Sequence, residues 1–373
     1  MVKAVALVLS LVVSLLLSEV LARLLLNPAD ILSAGVVQDS VLGITVAPNT
    51  SGFDTWGFRN KTVPSAAEVV AIGDSHTYGN TAGMEDAWPA VAARQTGLNV
   101  YNIGLGGYGP NQYYHLLTAK GLTLHPRWVI CGLYMGDDFE NAFLVTYGLE
   151  HWSYLRQERW EKVDANIWGS SEPPVWGAGL RNWLSEHSMV YRLIFHGPLF
   201  AMVKEGVRFK EVTEISDPYT TALIIKEQNI REAFRPIGIA ERLDERSGPV
   251  REGMRITFHL LKEMDQVCKS EGCRFLVVII PTKETVFSEY LERDPQLHLH
   301  DALMRVITNE RSVKGALTDF LASAGIAYLD PLPMLKQSVS RQLYAQTTRD
   351  MHPSKNGYRV IGEAVSQYIN SAK

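Results

Sequence analysis

The chain has 373 residues, 46% of them hydrophobic and 20% charged, which suits one large domain or two smaller ones and excludes an intrinsically disordered protein. Its 36 Lys and Arg nearly balance 40 Asp and Glu, leaving neither a strongly acidic tail nor the basic stripe that nucleic-acid binding needs. No nucleic-acid partner is therefore expected.

The first element in chain order is apolar. Residues Ala4 to Ser18 carry no charge, and the pattern runs on to Leu26 with only Glu19 and Arg23 interrupting it. A spanning helix needs about 17–25 residues; Glu19 and Arg23, four apart on one helical face, can pair and let the span reach that length. Val20-Leu21-Ala22 offers an alternative cleavage site for an export signal. Three leucines follow it, however, and polar sequence starts only at Asn27. Residues 1–26 are therefore expected to be an N-terminal membrane helix that contacts the bilayer, with the bulk of the chain outside the cytoplasm, in the periplasm or at the cell surface.

Residues 27–66, with Pro28, Pro48, Gly52, Gly57 and Pro64, predict an irregular arm. From 67 onward the pattern changes. Glu68–Gly73, Leu98–Ile103, Trp128–Tyr134, Phe275–Ile280 and Ile326–Leu329 are short, apolar, β-branched runs bounded by Gly, Pro, Asp or Asn, the signature of buried strands. Helical spacing lies between them: Leu260, Leu261, Met264, Val267 and Cys268 recur at intervals of three and four, and 302–323 and 356–370 also read as helices. Such alternation predicts a three-layer α/β/α sandwich with a central parallel sheet of about five strands and a site at the strands' carboxyl ends. It breaks between about 146 and 250, which predicts a mostly helical insertion or lid. Trp152, Trp160, Trp168, Trp176 and Trp183 crowd its first part, as a small core, a membrane-interface element or a stacking platform for sugar rings or an acyl chain.

Cys131 lies in an apolar run and reads as packing. Cys268 and Cys273 are close enough in sequence to form a disulfide outside the cytoplasm if the short loop permits the geometry. No CxxC or Cys/His cluster suggests a metal, and no cofactor is expected.

The sharpest local feature is Ile72-Gly73-Asp74-Ser75-His76-Thr77-Tyr78-Gly79, directly after the first core strand. A serine between strand and helix points its hydroxyl at the sheet's carboxyl edge, with backbone N–H groups free to bind an oxyanion. At the other end of the chain, Asp350-Met351-His352-Pro353 precedes the terminal helix. A serine hydroxyl needs an imidazole to take its proton and a carboxylate to fix that imidazole's tautomer, and Asp350 and His352 supply both in one loop. Asn102-Ile103-Gly104-Leu105-Gly106-Gly107-Tyr108-Gly109 and Met135-Gly136-Asp137-Asp138-Phe139 follow the second and third strands and reach the same rim. His76 reads as a packing or rim residue.

This ordered set resembles the SGNH (GDSL-like) hydrolase superfamily over about 68–140 and 274–366. The resemblance implies a serine esterase or O-acyltransferase, with catalytic Ser75, Asp350 and His352. It also implies an oxyanion hole from the Ser75 and Gly107 amides and the side chain at Asp137. Asp137 departs from the pattern, since the family has Asn there and an ionised carboxylate cannot donate. Losing one such donor typically costs about 10²–10³ in rate, unless Asp137 is protonated or Asn141, a helical turn on, replaces it. Ile280-Pro281-Thr282-Lys283-Glu284 and Trp56-Gly57-Phe58-Arg59 resemble the membrane-anchored, alginate-acetyltransferase-like branch, implying acyl esters of an envelope carbohydrate as substrate; Lys283 is then a candidate substrate contact, and a solvated strand-end lysine is the plain alternative. Two other readings compete. Asp74, Asp137, Asp138, Asp350 and His352 are a thin ligand set for a two-metal phosphoesterase, and the fold could persist as a binding module.

Overall fold

The computed structural model describes residues 2–48, 50, 52–157, 160, 178–196, 218–344 and 350–372. Trp168 and Trp176 lie outside them. The central sheet has five parallel strands, β3 (Val69–Gly73), β4 (Val100–Asn102), β5 (Trp128–Tyr134), β8 (Arg274–Ile280) and β9 (Ala327–Leu329), in the order β4-β3-β5-β8-β9. This is the predicted α/β/α sandwich. Alternate residues of the buried strands feed two cores: Val70, Ile72, Val129, Cys131, Val277 and Ile279 on one face, Val69, Ala71, Trp128, Ile130, Leu276 and Val278 on the other. The helices Pro110–Ala119 and Gly248–Ser270 cover the first face, and Trp88–Thr96 and Lys355–Ser371 the second. Because β4 and β5 flank β3 on opposite sides, the strand order reverses at β3, where open α/β sheets place their ligand crevice.

Two hairpins depart from the sequence expectation. The arm contains β1 (Val36–Asp39) paired antiparallel with β2 (Gly43–Val46). The segment expected to be helical contains β6 (Thr221–Ile225) paired with β7 (Ile230–Phe234), joined by a short 3₁₀ turn that ends at Asn229 in the left-handed region, φ 56°. Among the described residues the cysteines are all buried free thiols; Cys268 and Cys273 do not form a disulfide.

At the N-terminus, α1 (Val2–Leu25) is one continuous apolar helix, about 36 Å long at 1.5 Å per residue and so long enough to cross a bilayer or serve as a signal sequence. The arm after it is clamped to the sheet by Arg59, which is buried. Its guanidinium donates to the Ala29 carbonyl (3.2 Å) and to Asp30 Oδ1 (2.6 Å) on the anchor side, and to the Gly79 (3.2 Å) and Ala82 (2.9 Å) carbonyls on the loop beyond β3.

Candidate active site

The β3 strand ends at Gly73, and Asp74 caps the short helix Ser75–Tyr78 by accepting the His76 N–H at 2.8 Å. The turn is tight. A Cβ at Gly73 would stand 2.1 Å from Thr77 Oγ1 and 2.8 Å from the Gly132 carbonyl, so only glycine lets β3 and β5 close beneath Ser75. The late loop is braced against it: Thr81 Oγ1 donates to the Pro353 carbonyl at 2.7 Å, and the Tyr358 hydroxyl to the Asn80 carbonyl at 3.0 Å.

These braces bring Ser75, His352 and Asp350 into line. Ser75 Oγ lies 2.8 Å from His352 Nε2, and His352 Nδ1 lies 2.6 Å from Asp350 Oδ1, which also accepts the His352 backbone N–H at 2.9 Å. Asp350 accepts a hydrogen bond from the Nδ1–H, so Nε2 presents a lone pair to the serine hydroxyl. Burial alone would lower His352, but hydrogen bonding and charge attraction from Asp350 outweigh it and raise the imidazole above its usual range. Burial would likewise raise Asp350, and His352 holds it below the ordinary carboxylate range.

A second carboxylate approaches Ser75. Asp74 Oδ2 lies 3.2 Å from Ser75 Oγ, as an alternative acceptor for its one hydroxyl proton, and 3.0 Å from His76 Nδ1. His76, fully buried and stacked on Tyr134 at 3.7 Å between centroids, is pushed down by burial despite Asp74 beside it. It belongs to the packing, as the sequence suggested.

Asp137 and Asp138 complete an acidic cluster in which one oxygen from each of Asp74, Asp137 and Asp138 lies within 4.8 Å of the others. Three carboxylates so close cannot all ionise. Asp138 accepts from the Tyr113 hydroxyl and the Tyr134 N–H, both at 2.9 Å. Burial and the neighbouring Asp74 push it well above the usual range. Burial and Asp74 also push Asp137 up, to about 7, and its Oδ1 is buried with no hydrogen-bond partner. Asp74 stays low through its bonds to His76. A cation here would have to compete with His76, Tyr113 and the Tyr134 amide for two of the three carboxylates.

The other expected residues sort differently. Gly107 takes the left-handed conformation, φ 80°, whereas the neighbouring Gly106 faces Ser75, with its missing Cβ 3.6 Å from Ser75 Cβ. Asn141 sits one turn into the helix Asp138–Gly148 with its Cβ against Gly109. Lys283 is not a solvated rim cation. It is 2% exposed, its Nζ 2.7 Å from Glu232 Oε2 on β7 and 5.5 Å from the Phe234 and Tyr344 ring centroids, and it lines a pocket of about 390 Å³ shared with Arg235, Ile237, Arg242, Asp350 and Met351. Removing one member of a buried ion pair strands the other charge. Lys283→Met is therefore expected to cost about 3–5 kcal/mol in urea unfolding, and Lys283→Met with Glu232→Leu to recover most of that loss; a double variant as unstable as the single would refute the pairing.

Sequence reading missed Asn80. Its N–H donates to the Ser75 carbonyl at 3.0 Å, and its Nδ2 lies 3.5 Å from His352 Nε2 and 4.0 Å from the Gly106 Cβ position. No spacing rule marks it; it follows Ser75 by five residues and is carried in by the left-handed turn at Gly79.

No protein-family model matches the chain, and no curated relative matches it. Solved structures do. An extracellular lipase from Streptomyces rimosus is similar at 13% identity and TM-score 0.40, over 83% of this chain and 100% of that one. A GDSL-like lipase from Bacteroides thetaiotaomicron is similar at 10% and 0.37, over 83% and 93%. A catalytic mutant of an acetylxylan esterase from Geobacillus stearothermophilus is similar at 10% and 0.36, over 82% and 95%.

Proposed function

We propose that the protein is a serine esterase or O-acyltransferase of the SGNH type, with Ser75 as nucleophile, His352 as general base and acid, and Asp350 as the group that orients the imidazole. The hydrogen-bonded line from Ser75 Oγ through His352 to Asp350, at 2.8 and 2.6 Å, carries this reading. Ser75 Oγ attacks the acyl carbonyl while its proton passes to His352 Nε2. The tetrahedral oxyanion faces the Ser75 N–H, the Gly106-Gly107 turn and the Asp137 carboxyl, which can donate only when protonated. Its collapse sends the His352 proton to the departing alcohol and leaves an acyl group on Ser75. Water, or a sugar hydroxyl, gives up its proton to His352 and takes the acyl group, and His352 passes that proton to the departing Ser75 Oγ, restoring both.

The favoured substrate is a small acyl ester such as an acetyl ester of a cell-envelope carbohydrate, acted on outside the cytoplasm. This is supported by the apolar N-terminal helix and by the tryptophan-rich insertion. The alginate-acetyltransferase-like branch has weaker support, because Arg59 and Lys283, the charged residues of its two motifs, are both spent on the scaffold.

The test uses the full chain in detergent with p-nitrophenyl acetate, with and without an acetyl-free oligosaccharide. A serine-directed fluorophosphonate should label Ser75 with one-to-one stoichiometry, and acetylated oligosaccharide among the products identifies a transferase. Free acetate as the sole product identifies an esterase. Absence of labelling and of turnover at every pH from 5 to 9 refutes the catalytic reading and favours the binding module.

A further inference from the structure

The two charges that interrupt the apolar helix α1 are both engaged by the insertion. Glu19 accepts from the Ser188 hydroxyl (3.1 Å) and from the N–H groups of Met189 (3.1 Å) and Val190 (3.0 Å). Arg23 pairs with Glu19 at 2.9 Å and donates to the His187 carbonyl at 2.6 Å. These four residues, 187–190, form the junction of two helices, Ala178–His187 and Met189–His196. Ala22, Leu32 and Met189 bury one another beside it, and Arg192 Nε reaches the Ile31 carbonyl at 2.8 Å. The helix pair is thus fixed to the last turns of α1 and to the residues that follow.

The same pair leaves its large apolar side chains uncovered. Leu180 and Trp183, three apart on the first helix, are 65% and 54% exposed; Ile194 and Phe195 on the second are 56% and 52% exposed. Single exposed apolar residues are ordinary, but four on two adjoining helices form a surface that seeks a partner. Arg181, between Leu180 and Trp183 in sequence, is exposed as well. On α1, at the level of the junction, Leu21, Leu24 and Leu25 are 55%, 76% and 77% exposed. An apolar surface continuous with a membrane helix, carrying a tryptophan and pinned at the helix's polar end, has the features of an interfacial element.

We infer that the helix pair 178–196 lies in the headgroup and acyl boundary of the bilayer crossed by α1, with Leu180, Trp183, Ile194 and Phe195 turned into the lipid. The inference assumes that α1 is retained as a membrane helix and is independent of the catalytic reading. It also gives Glu19 and Arg23 a role. A charge at a bilayer centre costs about 2.5–3.5 kcal/mol on insertion scales; at the boundary, capped by peptide groups of the insertion, these two mark where α1 leaves the hydrocarbon.

The test is site-directed spin labelling of the full chain in phosphatidylcholine vesicles containing one-third phosphatidylglycerol. The native cysteines are buried, so nitroxides report from Leu180→Cys, Ile194→Cys and Arg181→Cys. The ratio of oxygen to nickel-chelate accessibility is expected to be several-fold higher at 180 and 194 than at 181. Glu19→Ala, which removes the cap and leaves Arg23 without its partner carboxylate, should bring all three ratios together while the protein still floats with the vesicles. Equal ratios in the otherwise native chain overturn the inference, and so does failure to float.

Discussion

Ser75→Ala is expected to lower turnover of p-nitrophenyl acetate by roughly 10⁴-fold or more, and His352→Ala to do the same, with the double variant no worse than either single one. Equality of the three is the informative part. A nucleophile and its base act as a unit, so the second substitution has nothing left to remove. Ser75 also touches Asp74 at 3.2 Å, and if that carboxylate were the working base, His352→Ala would keep most of the rate. The geometry favours His352, whose Nε2 is closer at 2.8 Å and is held by Asp350 from behind. Asp74 is already committed to the ring and the backbone of His76. The measurement is steady-state kcat on each purified full-length variant, with circular dichroism to confirm folding. Retention of more than about a hundredth of the rate in His352→Ala would exceed what an orphaned triad serine sustains and would reassign the base.

Asp137→Asn should change the shape of the pH profile more than its height. On the proposed mechanism two ionisations should bracket activity in the unaltered chain. His352 must be neutral, so the rate rises with pH through an imidazole pKa that Asp350 holds above the usual value. Asp137 must keep its proton to donate to the oxyanion, so the rate falls as pH passes about 7, the value to which burial and Asp74 raise it. The groups that set this second ionisation are Asp74, Asp138 and Glu140, which disfavour the anion by proximity, and Arg242 and His352, which favour it. An amide in place of the acid donates at every pH, so the alkaline limb disappears. At pH 8.5, where only about 3% of an acid with a pKa of about 7 keeps its proton, the variant should exceed the unaltered chain by roughly 30-fold. At pH 6 the two should be close. The acid limb should move down slightly, because Asp137 is one of the charges that raise His352. An alkaline limb that persists in Asp137→Asn would show that Asp137 takes no part in binding the oxyanion.

The sheet was legible because burial on both faces demands unbroken β-branched runs, and Val69–Gly73, Trp128–Tyr134 and Arg274–Ile280 have little else to be. Ser75, Asp350 and His352 could be picked out as candidates because the proposed chemistry needs particular residue types, one after a strand and two in one late loop, and the structure brings the three within hydrogen-bond distance. The hairpin β6–β7 was not, although Asn229 is a turn signal, since Thr221–Ile225 is a short apolar run that fits helix as well as strand and Ile230–Phe234 carries Arg231 and Glu232, so that tertiary contacts decide. Lys283 was misread for a related reason: the glutamate that buries it lies 51 positions earlier, on that hairpin. Asn80 could not be read at all, because only the closing of the Pro353 and Tyr358 braces brings its amide to His352.

The Arg59 clamp fixes a distance. One guanidinium holds Ala29 and Asp30, four and five residues past the end of α1, against Gly79 and Ala82, four and seven residues past Ser75. With α1 in a bilayer, Ser75 would therefore ride on a stiff mount at constant height and not on a leash whose reach grows with its length. On the proposed function, substrates tethered to the same membrane would meet it by lateral diffusion in a plane, at a high effective concentration. A free polymer would have to bend down to that height to react, so position along a chain, as much as chemistry, would select which esters are touched.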